Sequence, residues 1–316
     1  MEINNVKIDW ESVLEPYISH LEKEFPGLDI RGKMSTIISD LANNRIKSRI
    51  IMGAGRVCAY AFYTPAGFYS DRIYGNAGFY SEGVYTSERL GNLMAWLAGE
   101  ASSGRKMLMI DRIFNMPSGG EEILSRMGFR LLQRIRMERD LGIPVPDKKP
   151  AGNLTFSGLE KFDVNTFSDA EYEAFSSVED SVLMGSSAEE RHNFTRFIFS
   201  GSELYGEINS TSSLFCFSGS ELAGAVVVAN QKDGTSGIVP LVLTVFVRDR
   251  YRRRGIGRYL LLHSLGELRK QGFRSVRLYV NATSEARHLY SSLGFVESDE
   301  RYSEELHYLP SGINGH

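Results

Sequence analysis

The segment Leu141-Gly-Ile-Pro-Val-Pro-Asp-Lys-Lys-Pro-Ala-Gly-Asn153 constrains this chain more than any other stretch. It holds three prolines and two glycines in thirteen residues. Each proline lacks a backbone donor and clashes with the preceding turn, so no helix runs through it, and strands tolerate proline only at an edge. The 316-residue chain is therefore divided, into 1–140 and 154–316 with 141–153 as the linker. Either part has the length of an ordinary domain, roughly 150 residues.

Composition narrows the class. With 42% hydrophobic and 24% charged residues, the chain has ordinary globular make-up. A net charge of −3 excludes a molecule that binds nucleic acid through its overall field, so any anion site must come from local charge. Cys58 and Cys216 lie in apolar stretches without CxxC spacing, which predicts free thiols in a reducing cytoplasm and no disulfide framework. The six histidines form no HxxxH or HxH pair, and no metal site is expected. There is no apolar run of 18 residues and no export signal at Met-Glu-Ile-Asn-Asn. The expectation is a soluble cytoplasmic protein without a membrane partner.

The second part alternates strands and helices. Asp169 to Ser177 reads as a helix, and Leu214–Phe217 and Leu222–Val228 as two strands joined by a tight turn. Leu241–Val247 is a β-rich run. From Gly257 to Lys270, Leu261, Leu265 and Leu268 recur at helical spacing before Gly272. Val276, Leu278 and Val280 alternate as a strand. Ala286, Leu289, Tyr290 and Leu293 then predict a helix capped by Thr283 or Ser284 and stopped at Gly294. Such an order gives an α/β (α+β) fold, a mixed sheet flanked by helices.

Between the strand Leu241–Val247 and the helix lies Arg248-Asp-Arg-Tyr-Arg-Arg-Arg-Gly-Ile-Gly-Arg258, with six arginines in eleven residues. Gly255 and Gly257 let the backbone turn tightly and approach a ligand closely. The unpaired first-turn amides and the helix dipole then form a seat for a diphosphate. The same arginines could instead be a solvated face or meet nucleic-acid phosphate. Tyr251 is the one aromatic interleaved with them.

These residues carry a resemblance. Arg252-x-x-Gly255-x-Gly257, followed by Asn281-x-x-x-x-Ala286-x-x-Leu289-Tyr290-x-x-x-Gly294-Phe295, resembles the Gcn5-related N-acetyltransferases, the GNAT superfamily. It covers about 154–309 and is best from Leu241 to Phe295. The resemblance implies the acyl-CoA N-acyltransferase fold and acetyl-CoA as co-substrate. It implies that Arg252, Arg253, Arg254, Gly255, Ile256, Gly257 and Arg258 hold the pyrophosphate. It further implies a bulge in Leu241–Val247 and a splay from Val276–Val280 that makes room for pantetheine. The amide of Val247, or of Phe246, would donate to the thioester carbonyl. Asn281 would bind the pantetheine arm, and Tyr290 would give a proton to the departing thiolate. Asn281 could equally be a turn residue, and Tyr290 a member of the core stripe. Many relatives carry a glutamate on the strand before the turn; Leu241–Val247 has no acid, and Glu203, Glu207, Asp180, Glu221 or a water chain remain open as the base.

A slide of 166 residues lays Gly128-Phe129 on Gly294-Phe295, Asn115 on Asn281 and Gly91 on Gly257. Leu124 then falls on Tyr290, and Thr86-Ser-Glu-Arg-Leu-Gly91 replaces the arginine turn. This predicts tandem GNAT-like domains with a degenerate first copy and one CoA site. The expected acceptor is an amine: a protein N-terminus, a lysine or a small amine. A non-catalytic acyl-CoA sensor and a nucleic-acid-binding protein are the alternatives. A monomer and a dimer fit equally.

Overall fold

The computed structural model describes residues 8–24, 28–80, 87–144, 150, 153–201, 205–233, 237–298 and 303–311. The chain forms two compact units, Met1–Leu131 with Glu305–His316, and Leu132–Glu304.

The first unit opens with α1 (Trp10–Glu24) and α2 (Ile30–Ala42). Asp29 caps α2 by accepting the Gly32 N–H at 2.8 Å. There follow β1 (Ser48–Gly53), β2 (Arg56–Pro65), β3 (Arg72–Phe79), α3 (Ser87–Ser103), β4 (Met107–Phe114) and α4 (Gly120–Arg126). Its sheet runs β1, β2, β3, β4. Leu90, Leu93, Met94 and Leu97 of α3 form the core on one face, and α1 and α2 pack Leu14, Ile18 and Leu41 with Tyr60 and Phe62 on the other.

The second unit takes β5 (Arg130–Asp140) from Leu132 onward, then β6 (Thr155–Ser157), α5 (Val164–Phe175), α6 (Ala188–Phe199), β7 (Glu207–Ile208) and β8 (Leu214–Ser218). It continues through β9 (Glu221–Asp233), β10 (Gly237–Val247), α7 (Ile256–Lys270), β11 (Ser275–Asn281), α8 (Ala286–Ser292) and β12 (Val296–Glu297). Its sheet order is β5, β11, β10, β9, β8, β6, with β12 on β5 and β7 on β9. One apolar layer forms under α7 from Leu260, Leu261, Leu265 and Leu268; another forms under α5 from Phe167, Phe215 and Phe246.

The 166-residue slide places α4 residue for residue on α8, and β1 on β8. The duplicated fold is thus present. The compact units differ from 1–140 and 154–316 at two strands. The pairing Ser275↔Asp140 to Asn281↔Arg134 sets β5 beside β11, in the second unit. The last strand, β13 (Ser303–Leu309), pairs His307↔Ile110 and Leu309↔Leu108 with β4, in the first. The linker's first residue is also part of a fold: Leu141 is buried and its N–H donates to the Arg274 carbonyl at 2.8 Å.

Two local expectations shift. The helix expected from Asp169 begins five residues earlier, because Asp163 accepts the Thr166 N–H at 2.8 Å as the cap. The cap position of α8 is Glu285, although the Ser284 hydroxyl accepts the Ala286 N–H at 3.2 Å. Cys58 and Cys216 are buried free thiols. Among the described residues no helix is long and apolar enough to cross a membrane, and no cluster of three metal-ligating side chains occurs.

Candidate active site

The site begins with a break in strand β10. Its antiparallel register with β9 shifts between Val242 and Thr244, which makes Leu243 an extra residue. Leu243 and Phe246 pack toward α5, whereas Val242, Val245 and Val247 pack toward α7. On its other edge β10 meets β11 in parallel at Leu241↔Arg277 and Val242↔Leu278, and there the pairing stops. Beyond the bulge β10 stays on β9 as far as Val247↔Gly224, while β11 stays on β5 as far as Asn281↔Arg134. The two strands therefore part and leave an opening. Gly224 lets β9 and β10 approach at its rim, since a methyl there would lie 2.6 Å from the Phe246 carbonyl oxygen.

The Arg248 N–H donates to the Ala223 carbonyl at 2.9 Å, toward β9. Backbone donors alternate along a strand, so the Val247 N–H points the other way, into the opening. Of the two amides expected to serve, this geometry favours Val247 over Phe246.

Past Val247 the chain makes a turn at Asp249–Tyr251 and enters α7 at Gly255, whose φ of 79° suits glycine. No side chain caps this helix, which leaves the first-turn donors of Ile256, Gly257 and Arg258 for an anion. A methyl on Gly257 would sit 3.5 Å from Val247 Cγ2 and 3.7 Å from Leu289 Cδ2. The start of α7, the end of β10 and α8 thus converge.

The arginines divide into two sets. Arg248 pairs with Glu173 and, at 2.6 Å, with Glu221; Arg250 also pairs with Glu221. Arg252 donates to the carbonyls of Val247 at 3.1 Å and Ala174 at 2.6 Å and pairs with Asp249 at 2.8 Å. These three brace the turn, so the local positive field is weaker than six arginines suggest. Arg253 and Arg254 are exposed beside Gly255, and Arg258 donates to the Ser292 hydroxyl at 3.0 Å, tying α7 to α8.

Tyr290 on α8 is buried, with its ring edge-on to Phe295 at 6.0 Å between centroids. Burial raises its pKa well above the ordinary phenol value; Asp180 pushes the same way and Arg134 opposes. Tyr290 thus keeps its proton at neutral pH and can donate it.

Residues 169–307 match the family described as the Acetyltransferase (GNAT) domain. This segment belongs to the GNAT family. A GCN5-related N-acetyltransferase from Sphaerobacter thermophilus is similar in structure, with 16% identity over 96% of this chain and 93% of its own, at a TM-score of 0.57. The glucosamine N-acetyltransferase region of a fungal multi-domain GH3 β-N-acetylglucosaminidase is similar at 13% identity, over 98% of this chain and 38% of its own, with a TM-score of 0.54. A functionally unknown conserved protein from Staphylococcus epidermidis is similar at 13% identity, over 84% and 95%, with a TM-score of 0.50. No curated protein matches the chain. The likeness extends over both units, and the chain has the tandem GNAT-like, mixed α/β acyl-CoA N-acyltransferase fold.

Within the GNAT domain, Asn281 is already engaged. Its Nδ2 donates to Glu179 at 2.9 Å, and its Oδ1 accepts from the Thr283 N–H at 3.0 Å and hydroxyl at 2.9 Å. That is the work of a turn residue. Of the four acids considered from sequence, three lie among the described residues. Glu203 lies outside the described residues, Glu207 is exposed, and Glu221 holds Arg248, Arg250 and the Tyr251 hydroxyl. Asp180 acts on Tyr290, and burial raises its own pKa. The acid that sequence reading missed is Glu171. It falls among Phe167, Ala170 and Ala174, on the buried stripe of α5, and its carboxyl lies by Thr244. The i, i+3, i+4, i+7 stripe is visible in sequence once α5 is started at Val164.

The first unit closes where the GNAT domain opens. Its β3 and β4 remain paired from Arg72↔Met107 to Gly78↔Phe114. Asn115 Nδ2 then donates to the Phe79 carbonyl at 3.0 Å and sews the strand ends together. Leu124, at the place of Tyr290, is buried core. Thr86, in the segment that replaces the arginine turn, lies outside the described residues.

Proposed function

We propose that the GNAT domain moves an acetyl group from acetyl-CoA to a primary amine by direct attack in a ternary complex. The observation that supports this most is the opening between β10 and β11, into which the Val247 N–H points. Acetyl-CoA would supply the activated acyl group as a thioester. The first-turn amides from Gly255 to Arg258, with Arg253 and Arg254 beside them, would hold its pyrophosphate. The Val247 N–H would donate to the carbonyl oxygen as negative charge develops there, a fixed donor of the kind that contributes about 3 kcal/mol. Tyr290 would hydrogen-bond the departing sulfur and pass it a proton as the nitrogen's second proton replaces the one given up. Arg252 acts through its grip on the Val247 carbonyl, and Phe246 and Asn281 through packing and turn geometry.

One site per chain is proposed, because the first unit keeps β3 and β4 joined. A cytoplasmic setting suits this chemistry and the two free thiols. Calorimetric titration of the full chain with acetyl-CoA is expected to give one equivalent bound. Two equivalents would contradict the closed first unit, and none would remove the acyl-CoA reading. Binding without turnover on spermidine, glucosamine and lysine peptides would make the protein an acyl-CoA sensor.

A further inference from the structure

We propose that Glu171 is the base that takes the proton from the attacking amine, so that helix α5 supplies the acid that strand β10 lacks. This rests on the acetyl-transfer reading above. Helix α5 is fastened to β10 at two places. The Phe167 and Phe246 rings meet edge-on at 5.4 Å, and Arg252 joins the carbonyls of Ala174 and Val247. Glu171 stands between Phe167 and Ala174 in the same inward stripe, where an aliphatic side chain would be the stable choice. Its carboxyl faces Thr244, the first residue after the bulge, where the opening begins. The Thr244 hydroxyl oxygen is shielded from solvent and makes no hydrogen bond of ordinary length. The Glu171 carboxyl and the Thr244 hydroxyl are thus neighbours where the strands begin to part.

The neighbouring charges are committed elsewhere. Glu173 is held by Arg248, Asp169 by His192 at 3.0 Å, and Glu179 by Asn281 and Thr283. Asp180 faces Arg134, and Arg191 of α6 lies over the Tyr172 ring at 3.8 Å. The residues that β9 sets in this layer, Leu222, Ala225 and Val227, are apolar. Burial is thus the main influence on Glu171 and raises it to about 7, with the Thr244 hydroxyl opposing. A base of that strength is half charged at neutral pH and matched to proton transfer there. The residue is half-buried, which leaves the proton a way out.

The step balances as follows. The alkylammonium gives one proton to the Glu171 carboxylate, and the neutral nitrogen forms the C–N bond with the acyl carbon. The C–S bond breaks and its electron pair stays on sulfur, which takes the Tyr290 proton. The second nitrogen proton restores Tyr290, and Glu171 releases its proton to water. The products are the amide, free thiol and one proton.

The test compares the full-length protein with its Glu171→Gln and Glu171→Asp variants. For whichever of spermidine, glucosamine or a lysine peptide the parent protein acetylates, kcat/KM is expected to fall on the acid side with a midpoint near 7. Glu171→Gln should lower kcat/KM on the order of 10²-fold and abolish that limb, with acetyl-CoA binding unchanged. Glu171→Asp should retain the limb. A limb that persists in Glu171→Gln overturns the proposal. Failure to acetylate any amine, with acetyl-CoA bound, sinks the acetyl-transfer reading instead. One measurement needs no acceptor. Burial holds the proton on the folded state, so Glu171 weakens folding as pH rises through about 7 and is neutral below about 4.5. Glu171→Gln should therefore raise Tm at pH 8, and the gain should vanish near pH 4.5. An equal or lower Tm at pH 8 means that Glu171 is an ordinary ionised surface acid, and overturns the proposal.

Discussion

Tyr290 serves two ends in one side chain. Its ring fills the core beside Phe295 and Leu293, and its hydroxyl is a phenol that burial keeps protonated. Tyr290→Phe separates the two, because it keeps the ring and removes the donor. Turnover is expected to fall on the order of 10²-fold while acetyl-CoA affinity, read by calorimetry, stays within twofold. An unchanged kcat would return Tyr290 to packing alone. At this scale the sequence was informative wherever a backbone requirement fixes the residue. Gly255 needs a positive φ, and glycine stands there. It was less informative about side-chain charge. Arg248, Arg250 and Arg252 looked like a phosphate field and prove to be braces for Glu173, Glu221 and Asp249. Their partners lie up to 78 residues away along the chain, at Ala174 for Arg252. Glu171 was hidden for the same reason: its meaning depends on β10, which folds onto α5 from far along the sequence.

At the scale of elements, the bulge decides what the sheet can do. Leu243 as the extra residue turns Thr244 toward α5 and lets β10 follow β9 while β11 follows β5. No local pattern in Leu241–Val247 marks the bulge, since every residue there suits a strand; it was inferred from likeness and not from propensity. Gly224 is its silent partner, because side-chain room at the rim is set by Phe246 on the next strand. Gly224→Val would drive Cβ into the Phe246 carbonyl, 2.6 Å away, and force β9 from β10. Denaturant unfolding should show a loss of about 1–3 kcal/mol. Acetyl-CoA binding should weaken as well, because the Val247 amide rides on the displaced segment. Full binding in a destabilised protein would show that the opening does not depend on that register.

At the scale of the whole molecule, the duplicated sequence has exchanged its closing strands. The strand that follows α4, β5, completes the second unit against β11, and the strand that ends the second copy, β13, completes the first against β4. The proline-rich segment is therefore a boundary in sequence without being a boundary in the fold. Reading order along the chain could locate both copies, since each repeats strand, helix, strand and helix. It could not locate the exchange, because β5 and β13 find their partners, β11 and β4, far away along the chain. The consequence concerns cooperativity. Fragments 1–141 and 142–316 each contain a strand the other needs. Alone, the first lacks Leu306 and Leu309, which are buried in its unit. Loss of two buried leucines from one core costs several kcal/mol at about 2–5 kcal/mol each, a large share of the roughly 5–15 kcal/mol that stabilises a domain. Expressed separately, the fragments should show no cooperative thermal transition; expressed together, they should co-purify and recover acetyl-CoA binding. Two fragments that each melt sharply alone would mean that the exchanged strands are dispensable and the units fold independently.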